Sequence, residues 1–360
     1  MAFELSDTNA VEYLASRGLV QASAVQSVEL LGWGVSNTLV KVCAADDCLV
    51  VKQSLPRLRV TEDWFADRER IFRERACIDA LATILPAGVI PVVRYEDREN
   101  FLFVMSCAPA EGANWKEQLL SGQVDIQVAE KVGETLGTIH QMTADNESVR
   151  QQFLDDRPFV QLRIDPYHWT AARAHPELAE VIGQEAQRML EVKAALVHGD
   201  YSPKNIIVTG DNIFLLDFEV VHYGNPVFDL AFMLNHLLLK TVHNAPIRDQ
   251  YFRAVDSFWQ GYAEQVAASP PLEKGSRGDL TPRAVGLLER DTIKQLGCLM
   301  LARIDGKSPV EYIVRPETKK LVRGIAKTLL MKEYRKLADV VELVDAQLSM
   351  HDDRRKTIDE

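Results

Sequence analysis

The sequence predicts an α+β chain in two lobes, a small antiparallel sheet with its helix followed by a larger, mainly helical part. Three observations carry this. Short β-branched runs between turn signals fill the chain before Cys107, helical apolar spacing dominates after it, and one polar-ended hairpin, Leu196 to Glu219, interrupts the helices. With 360 residues, 47% of them hydrophobic, the chain can bury a sizeable core, and disorder is excluded.

A helical start around Val11 to Arg17 precedes strand-like runs at Val28 to Leu31, Leu39 to Val42 and Cys48 to Lys52. The turn-tolerant stretch GWGVSN stands before the second run and AADD before the third, as antiparallel hairpins require. From Asp63 to Ile84 the residues Phe65, Ile71, Phe72, Ala76, Ile78, Leu81 and Ala82 recur at roughly helical spacing, and Pro86 with Gly88 closes that helix. Val92 to Tyr95 and Phe101 to Met105 read as two more strands, and CAPAEG as a linker. The expected lobes are therefore 1–106 and 107–360.

Helices are expected over Val128 to Met142, Ala179 to Val192, Val227 to Leu239, Asp249 to Ala267, Val285 to Ile304 and Thr318 to Leu348. Among them, Asn205 to Val208 and Ile213 to Asp217 flank the turn TGDN as a hairpin with polar groups at its ends. Ser269 to Pro282 reads as a mobile surface loop and the final ten residues as frayed.

The net charge of −11 comes without a basic block, which argues against nucleic acid and against an anionic membrane as partners. No apolar run approaches the roughly 20 residues needed to span a bilayer, and the opening stretch is charged where a signal peptide is apolar, so a cytoplasmic location is expected. The five cysteines, Cys43, Cys48, Cys77, Cys107 and Cys298, lack zinc spacing and read as reduced, mostly buried thiols.

The chemistry is concentrated in His198-Gly199-Asp200, Asn205 and Asp217-Phe218-Glu219. Phosphoryl transfer needs a carboxylate beside the attacking hydroxyl and hard oxygen ligands for Mg²⁺ on the phosphates of ATP. Asp200, Asn205 and Asp217 supply these parts from neighbouring strand ends. Here the chain resembles the aminoglycoside phosphotransferase and choline kinase superfamily, whose catalytic loop reads H-x-D-x-x-x-x-N.

That resemblance implies a two-lobed protein-kinase-like fold with ATP and Mg²⁺ as cofactors. It also implies Asp200 as catalytic base, Asn205 as a metal ligand, Asp217 as the main Mg²⁺ ligand and His198 as a brace of the loop. Glu219 forms the D-x-E of choline kinases and methylthioribose kinases; it is expected at the metal, with a salt bridge to a basic side chain as the alternative reading. Gly199 replaces the arginine of protein kinases, and the stretch from Phe218 to Phe228 is too short for a peptide-docking segment. A small hydroxylated molecule is therefore the expected acceptor. Asp229 is expected to bond backbone near the loop and to open a helix.

Upstream, Gly32, Gly34, Ser36 and Asn37 lie where backbone N–H groups could approach phosphates closely. Lys52 ends its strand as the kinase lysine does, with Glu74 as the preferred partner and Glu69 as the competitor. The linker residues Met105 and Cys107 would offer backbone groups to adenine. The runs LGWGVSNTLVKV, VVKQSLPRLRV and ERACIDAL resemble methylthioribose kinases, and CLMLARIDGKSPVEYI is similar to that family's segment lining the substrate pocket. Arg303 matches a substrate arginine there, whereas Ala302 stands where the family pairs a second one.

The acceptor stays open between a methylthioribose-like sugar, an aminoglycoside and an amino alcohol, with an ATP-binding pseudokinase as the non-enzymatic alternative. Carboxylates around the acceptor would favour an aminoglycoside, an arginine a sugar, and an aromatic ring choline. His140, Trp169, Tyr251, Trp259 and Tyr262 read as helix packing, and Lys204 is left outside the site. Monomer and homodimer both remain open.

Overall fold

The structure, a computed structural model, describes residues 3–32, 36–45, 47–59, 66–267 and 282–359. It divides into two compact units, Met1–Gly112 with Phe214–Val221, and Ala113–Ile213 with His222–Glu360.

The first unit is built on a five-stranded antiparallel sheet in the order β1-β2-β3-β5-β4, with β1 (Val25–Leu31), β2 (Asn37–Ala44), β3 (Cys48–Ser54), β4 (Val93–Asp97) and β5 (Leu102–Ser106). Side chains alternate across a strand. Val40, Val42, Leu49, Val51, Leu102 and Val104 form one core with Tyr13 and Leu14 of α1 (Ala10–Ser16). On the other parity of β3, Lys52 meets Glu74 of α2 (Arg70–Leu81). The expected helix from Asp63 begins only at Arg70: residues 63–65 lie outside the described ones, and 66–69 are not yet helical.

The register of β2 and β3 also corrects the reading of the cysteines. Cys43 stands directly opposite Cys48 beside the hairpin turn, with Cα atoms 4.1 Å apart, and the two form a disulfide. Cys77 and Cys298 are buried thiols, and Cys107 is a half-buried one.

The second unit holds β6 (Ala113–Asn114), β7 (Ala195–Val197), β8 (Ile206–Thr209) and β10 (His222–Gly224), of which β7 pairs with β10 and β8 with β6, and β9 (Asn212–Leu215) passes from this unit into the first at Phe214. The rest is helical: α3 (Trp115–Leu120), α4 (Ile126–Thr143), α5 (Glu147–Phe153), α6 (Arg157–Phe159), α7 (Thr170–Ala174) and α8 (Ala179–Glu191), then α9 (Val227–His243), α10 (Arg248–Ala267), α11 (Pro282–Asp305), α12 (Pro316–Met331) and α13 (Leu337–Asp359). Every residue of α9 from Val227 to Val242 is buried, so its apolar run lies at the centre of the unit. Helices α4 and α10 meet backbone to backbone: a Cβ on Gly133 or Gly261 would overlap a carbonyl oxygen of the other helix.

Several local features were not expected from the sequence. A π-helical stretch, Val160–Trp169, joins α6 to α7; Pro166 within it cannot donate an ordinary helical hydrogen bond. The expected single helix from Thr318 to Leu348 is two, because Glu289 of α11 accepts from Leu337 N at 2.8 Å and from Lys336 Nζ at 2.9 Å and so starts α13 afresh. At the end of the chain α13 continues to Asp359 where fraying is expected. The expected loop from Ser269 lies outside the described residues up to its last member, Pro282, which opens α11. Among the described residues no helix is long and apolar enough to cross a membrane.

Candidate active site

In the first unit Lys52 Nζ lies 2.6 Å from Glu74 Oε2 and 2.7 Å from Asp217 Oδ1. Glu69, the competitor, is exposed at the start of α2. Lys52 and Glu74 are almost wholly buried, whereas the Asp217 side chain is 24% exposed, so Asp217 is the member that a ligand can reach. Burial disfavours the Lys52 ammonium, but the charges of Asp217, Glu74 and Glu219 outweigh it and hold its pKa above the ordinary lysine value. Burial, with the nearby Asp217 and Glu219 charges, pushes the Glu74 carboxyl up against the pull of Lys52.

Asp217 has φ +68°, a left-handed conformation costing an L residue about 1–2 kcal/mol. Such backbone persists where its surroundings fix it, and functional sites are where it collects. Here Leu215 N donates to Val89 O at 2.7 Å on one side, and Phe218 N donates to Glu74 Oε1 at 3.3 Å on the other.

Glu219 takes the alternative role. Its Oε1 accepts from Ser36 Oγ at 2.6 Å, and its Oε2 accepts from Asn37 Nδ2 at 2.9 Å and Arg70 Nε at 3.0 Å. Both oxygens thus accept from protein donors, and Glu219 forms with Arg70 the ion pair of the alternative reading. Ser36 and Asn37 bind Glu219 with their side chains; Gly32 lies in the turn after β1, and Gly34 lies outside the described residues. Met105 is paired within β5 to Val50 and Val93, and Cys107 N donates to Cys48 O at 3.0 Å. Of the backbone groups expected to be offered to adenine, the Cys107 N–H is thus bonded to β3.

In the second unit Asp200 accepts from Arg163 Nη2 at 2.9 Å, Lys204 Nζ at 2.8 Å and Asn205 Nδ2 at 2.9 Å. Asn205 Nδ2 also reaches Asp200 O, which leaves its amide oxygen as the end that could meet a cation. The loop is fastened from α9: Asp229 Oδ2 accepts from His198 N at 2.7 Å and Oδ1 from Gly199 N at 2.8 Å, as the sequence led us to expect. Gly199 has φ +75°, which a side chain would oppose. His198 Nδ1 accepts from Asp200 N at 3.2 Å and braces the loop from within. His140 is buried between Tyr262 Oη and Asp229 Oδ2 and holds the fastening group. Arg303 Nη1 donates to Tyr167 Oη at 3.2 Å and Ser308 Oγ at 2.9 Å.

The model of the phosphotransferase enzyme family matches residues 27–264, more than half of the chain, including Lys52, Glu74, Asp217, Asp200, Asn205 and Asp229 but not Arg303. The chain belongs to this family. The similar proteins are distant in sequence but similar along most of their length. The methylthioribose kinase of Exiguobacterium sibiricum is 25% identical over 85% of this chain and 85% of its own. The methylthioribose kinase of Erwinia tasmaniensis is 23% identical over 95% of this chain and 96% of its own. A solved spectinomycin phosphotransferase, in complex with ADP and spectinomycin, aligns with a TM-score of 0.50 at 12% identity, covering 96% of this chain and 99% of that one, and shares its fold. As a phosphotransferase of this family the protein is an enzyme, and its fold is the kinase-like one.

Sequence reasoning missed several members of the two groups. Arg70 is one arginine among several in a charged stretch, and Arg163 falls in a π-helical segment that no simple period reveals.

Proposed function

We propose that this phosphotransferase moves the γ-phosphoryl group of ATP·Mg²⁺ onto a hydroxyl of a small molecule, with Asp200 receiving the hydroxyl proton. The observation that carries the reading is the buried Lys52 held between Glu74 and Asp217 in a chain of this family. Lys52 would orient the phosphates, a task for which a permanently charged, immobilised ammonium is suited. The donor set fits a hard divalent cation: Asp217 has a reachable carboxylate and Asn205 an amide oxygen turned away from its own hydrogen bonds. Those two residues would hold Mg²⁺, which when bound neutralises phosphate charge. Glu219 would act indirectly, by tying Ser36 and Asn37 at the start of β2 to the segment carrying Asp217.

Asp200 is clamped by Arg163, Lys204 and Asn205 on a loop fastened by Asp229, so its oxygens have fixed directions. A carboxylate so positioned aligns the attacking hydroxyl and takes its proton as the oxygen–phosphorus bond forms and ADP leaves. The test is a mass-spectrometric screen for products one phosphate heavier from a metabolite mixture with ATP·Mg²⁺. Asp200→Asn is expected to lower kcat by about 10²–10⁴-fold while the KM for ATP holds. Wild-type turnover by that variant would refute the assignment, and nucleotide binding without any product would favour a pseudokinase.

A further inference from the structure

The second unit gathers positive charge beside Asp200 without matching carboxylates. Lys240 is 1% exposed, and its Nζ has one hydrogen bond, at 3.4 Å to His236 O on its own helix, with the Tyr312 ring 5.2 Å away. Among the described residues no carboxylate pairs with it. Arg303 likewise bonds only to hydroxyls, and its buried Nε has no partner. Lys116 adds a third cation and Lys204 a fourth, close enough that His236 feels both together with Lys240 and Arg303. The nearby carboxylates are already engaged: Glu311 with Lys116 at 2.5 Å, and Asp200 with Arg163 and Lys204.

Contacts join this cluster to the proposed proton acceptor. Arg163, which holds Asp200, lies 5.6 Å from the Tyr167 ring, and Arg303 lies 5.8 Å from the same ring while donating to its hydroxyl. A buried ammonium without a counter-ion is costly, and an anionic ligand would relieve that cost.

We propose that Lys240, Arg303 and Lys116 form an anion subsite of the acceptor pocket, so that the substrate is a hydroxylated molecule bearing a carboxylate or a phosphate monoester. The inference rests on the phosphotransferase reading for its word substrate, and on the cluster alone for its word anion. Polyamines such as aminoglycosides, and quaternary ammonium alcohols, would face like charge here. Tyr251, Trp259, Tyr262 and Trp169 supply no cage for the latter. Tyr251 donates to Leu119 O, Trp259 and Tyr262 of α10 lie ring to ring with Tyr262 Oη also bonded to His140, and Trp169 packs against Gly183.

Proton linkage follows from the same residues. Burial first, then Lys116 and Arg303, lowers the Lys240 pKa to about 7, with Glu311 opposing; His236, Lys204 and Tyr312 are the other titratable or charged groups facing the cluster. A bound anion raises that pKa. Below about pH 7 the ammonium is already formed, and above it binding must take up a proton, so affinity falls as pH rises.

The experiment titrates inorganic sulfate, which does not ionise in this range, into the full-length protein saturated with ADP·Mg²⁺. Calorimetry follows it at pH 6.5 and 8, and ADP binding is recorded separately. Expected is binding that weakens several-fold at pH 8 with proton uptake, and that weakens at least tenfold in Lys240→Met and in Arg303→Met but not in the surface control Lys320→Met. Retained affinity in both cluster variants, or no sulfate binding to the wild type, overturns the subsite.

A parallel turnover panel with ATP·Mg²⁺ offers hydroxy acids, sugar phosphates, neutral sugars, aminoglycosides and choline. Product from either of the first two classes, with KM raised in Lys240→Met, supports the proposal and tells carboxylate from phosphate. Efficient turnover of a neutral or cationic acceptor, unchanged in Lys240→Met, refutes it. Sulfate binding as expected without ADP binding sinks the phosphotransferase reading and leaves the anion site standing.

Discussion

Replacing Arg70 by methionine removes the cation of a pair whose side chains are 1% and 8% exposed. Arg70 donates from Nε to Glu219, from Nη1 to Ala66 O and Asp67 O, and from Nη2 to Ser36 O and Leu55 O. Methionine keeps much of the volume and none of the donors. Glu219 would stay buried with only Ser36 Oγ and Asn37 Nδ2 to solvate it. Breaking a buried pair in this way costs about 3–5 kcal/mol, because an uncompensated charge remains.

The assay is urea unfolding by circular dichroism in EDTA, for wild type, Arg70→Met, Glu219→Gln and the double variant. The cycle is expected to show coupling of about 1–3 kcal/mol, since neutralising Glu219 relieves the stranded charge. A loss below about 1 kcal/mol for Arg70→Met, with no coupling, would refute the ion-pair role. If Glu219→Gln instead left stability intact and weakened Mg²⁺ dependence alone, Glu219 would be a metal ligand after all.

Other expectations follow from the second unit. Asp229→Ala removes the acceptor of two loop N–H groups and the partner of His140, so a loss of about 3–5 kcal/mol by urea unfolding is expected together with lower kcat; an unchanged kcat would show that the loop holds itself. Gly261→Ala places a Cβ on Glu130 O and should cost about 1–3 kcal/mol by forcing α10 from α4, measured by the same unfolding, whereas a neutral result would mean the two helices part freely. His168 is buried against Gln295, and burial lowers its pKa from 6.5 to about 4 although that hydrogen bond opposes it. The unfolded chain therefore binds the proton first, so stability falls as pH drops below about 6.5 and levels off near pH 4. Between pH 6.5 and 5 the loss is about 2 kcal/mol, which should vanish from the pH profile of His168→Gln.

The β-branched runs that become β1, β2, β3 and β5 were legible without coordinates, because strand propensity is local. So was the order His198, Asp200, Asn205, Asp217, since these residues are neighbours along the chain. Asp229 was legible for the same reason, opening a helix soon after the loop it fastens.

Partnerships between residues far apart in sequence depended on tertiary structure. Which glutamate of α2 meets Lys52 depends on the phase of a helix whose first turn begins seven residues later than its apolar pattern suggests, at Arg70 and not Asp63. Whether Glu219 faces a metal or an arginine turns on where Arg70 points, 149 positions away. The cystine between Cys43 and Cys48 depended on strand register, which a one-residue slip would have reversed. The local charge could not be read from a net charge of −11, because Lys116, Lys240 and Arg303 come from three separate parts of the chain and only folding brings them together.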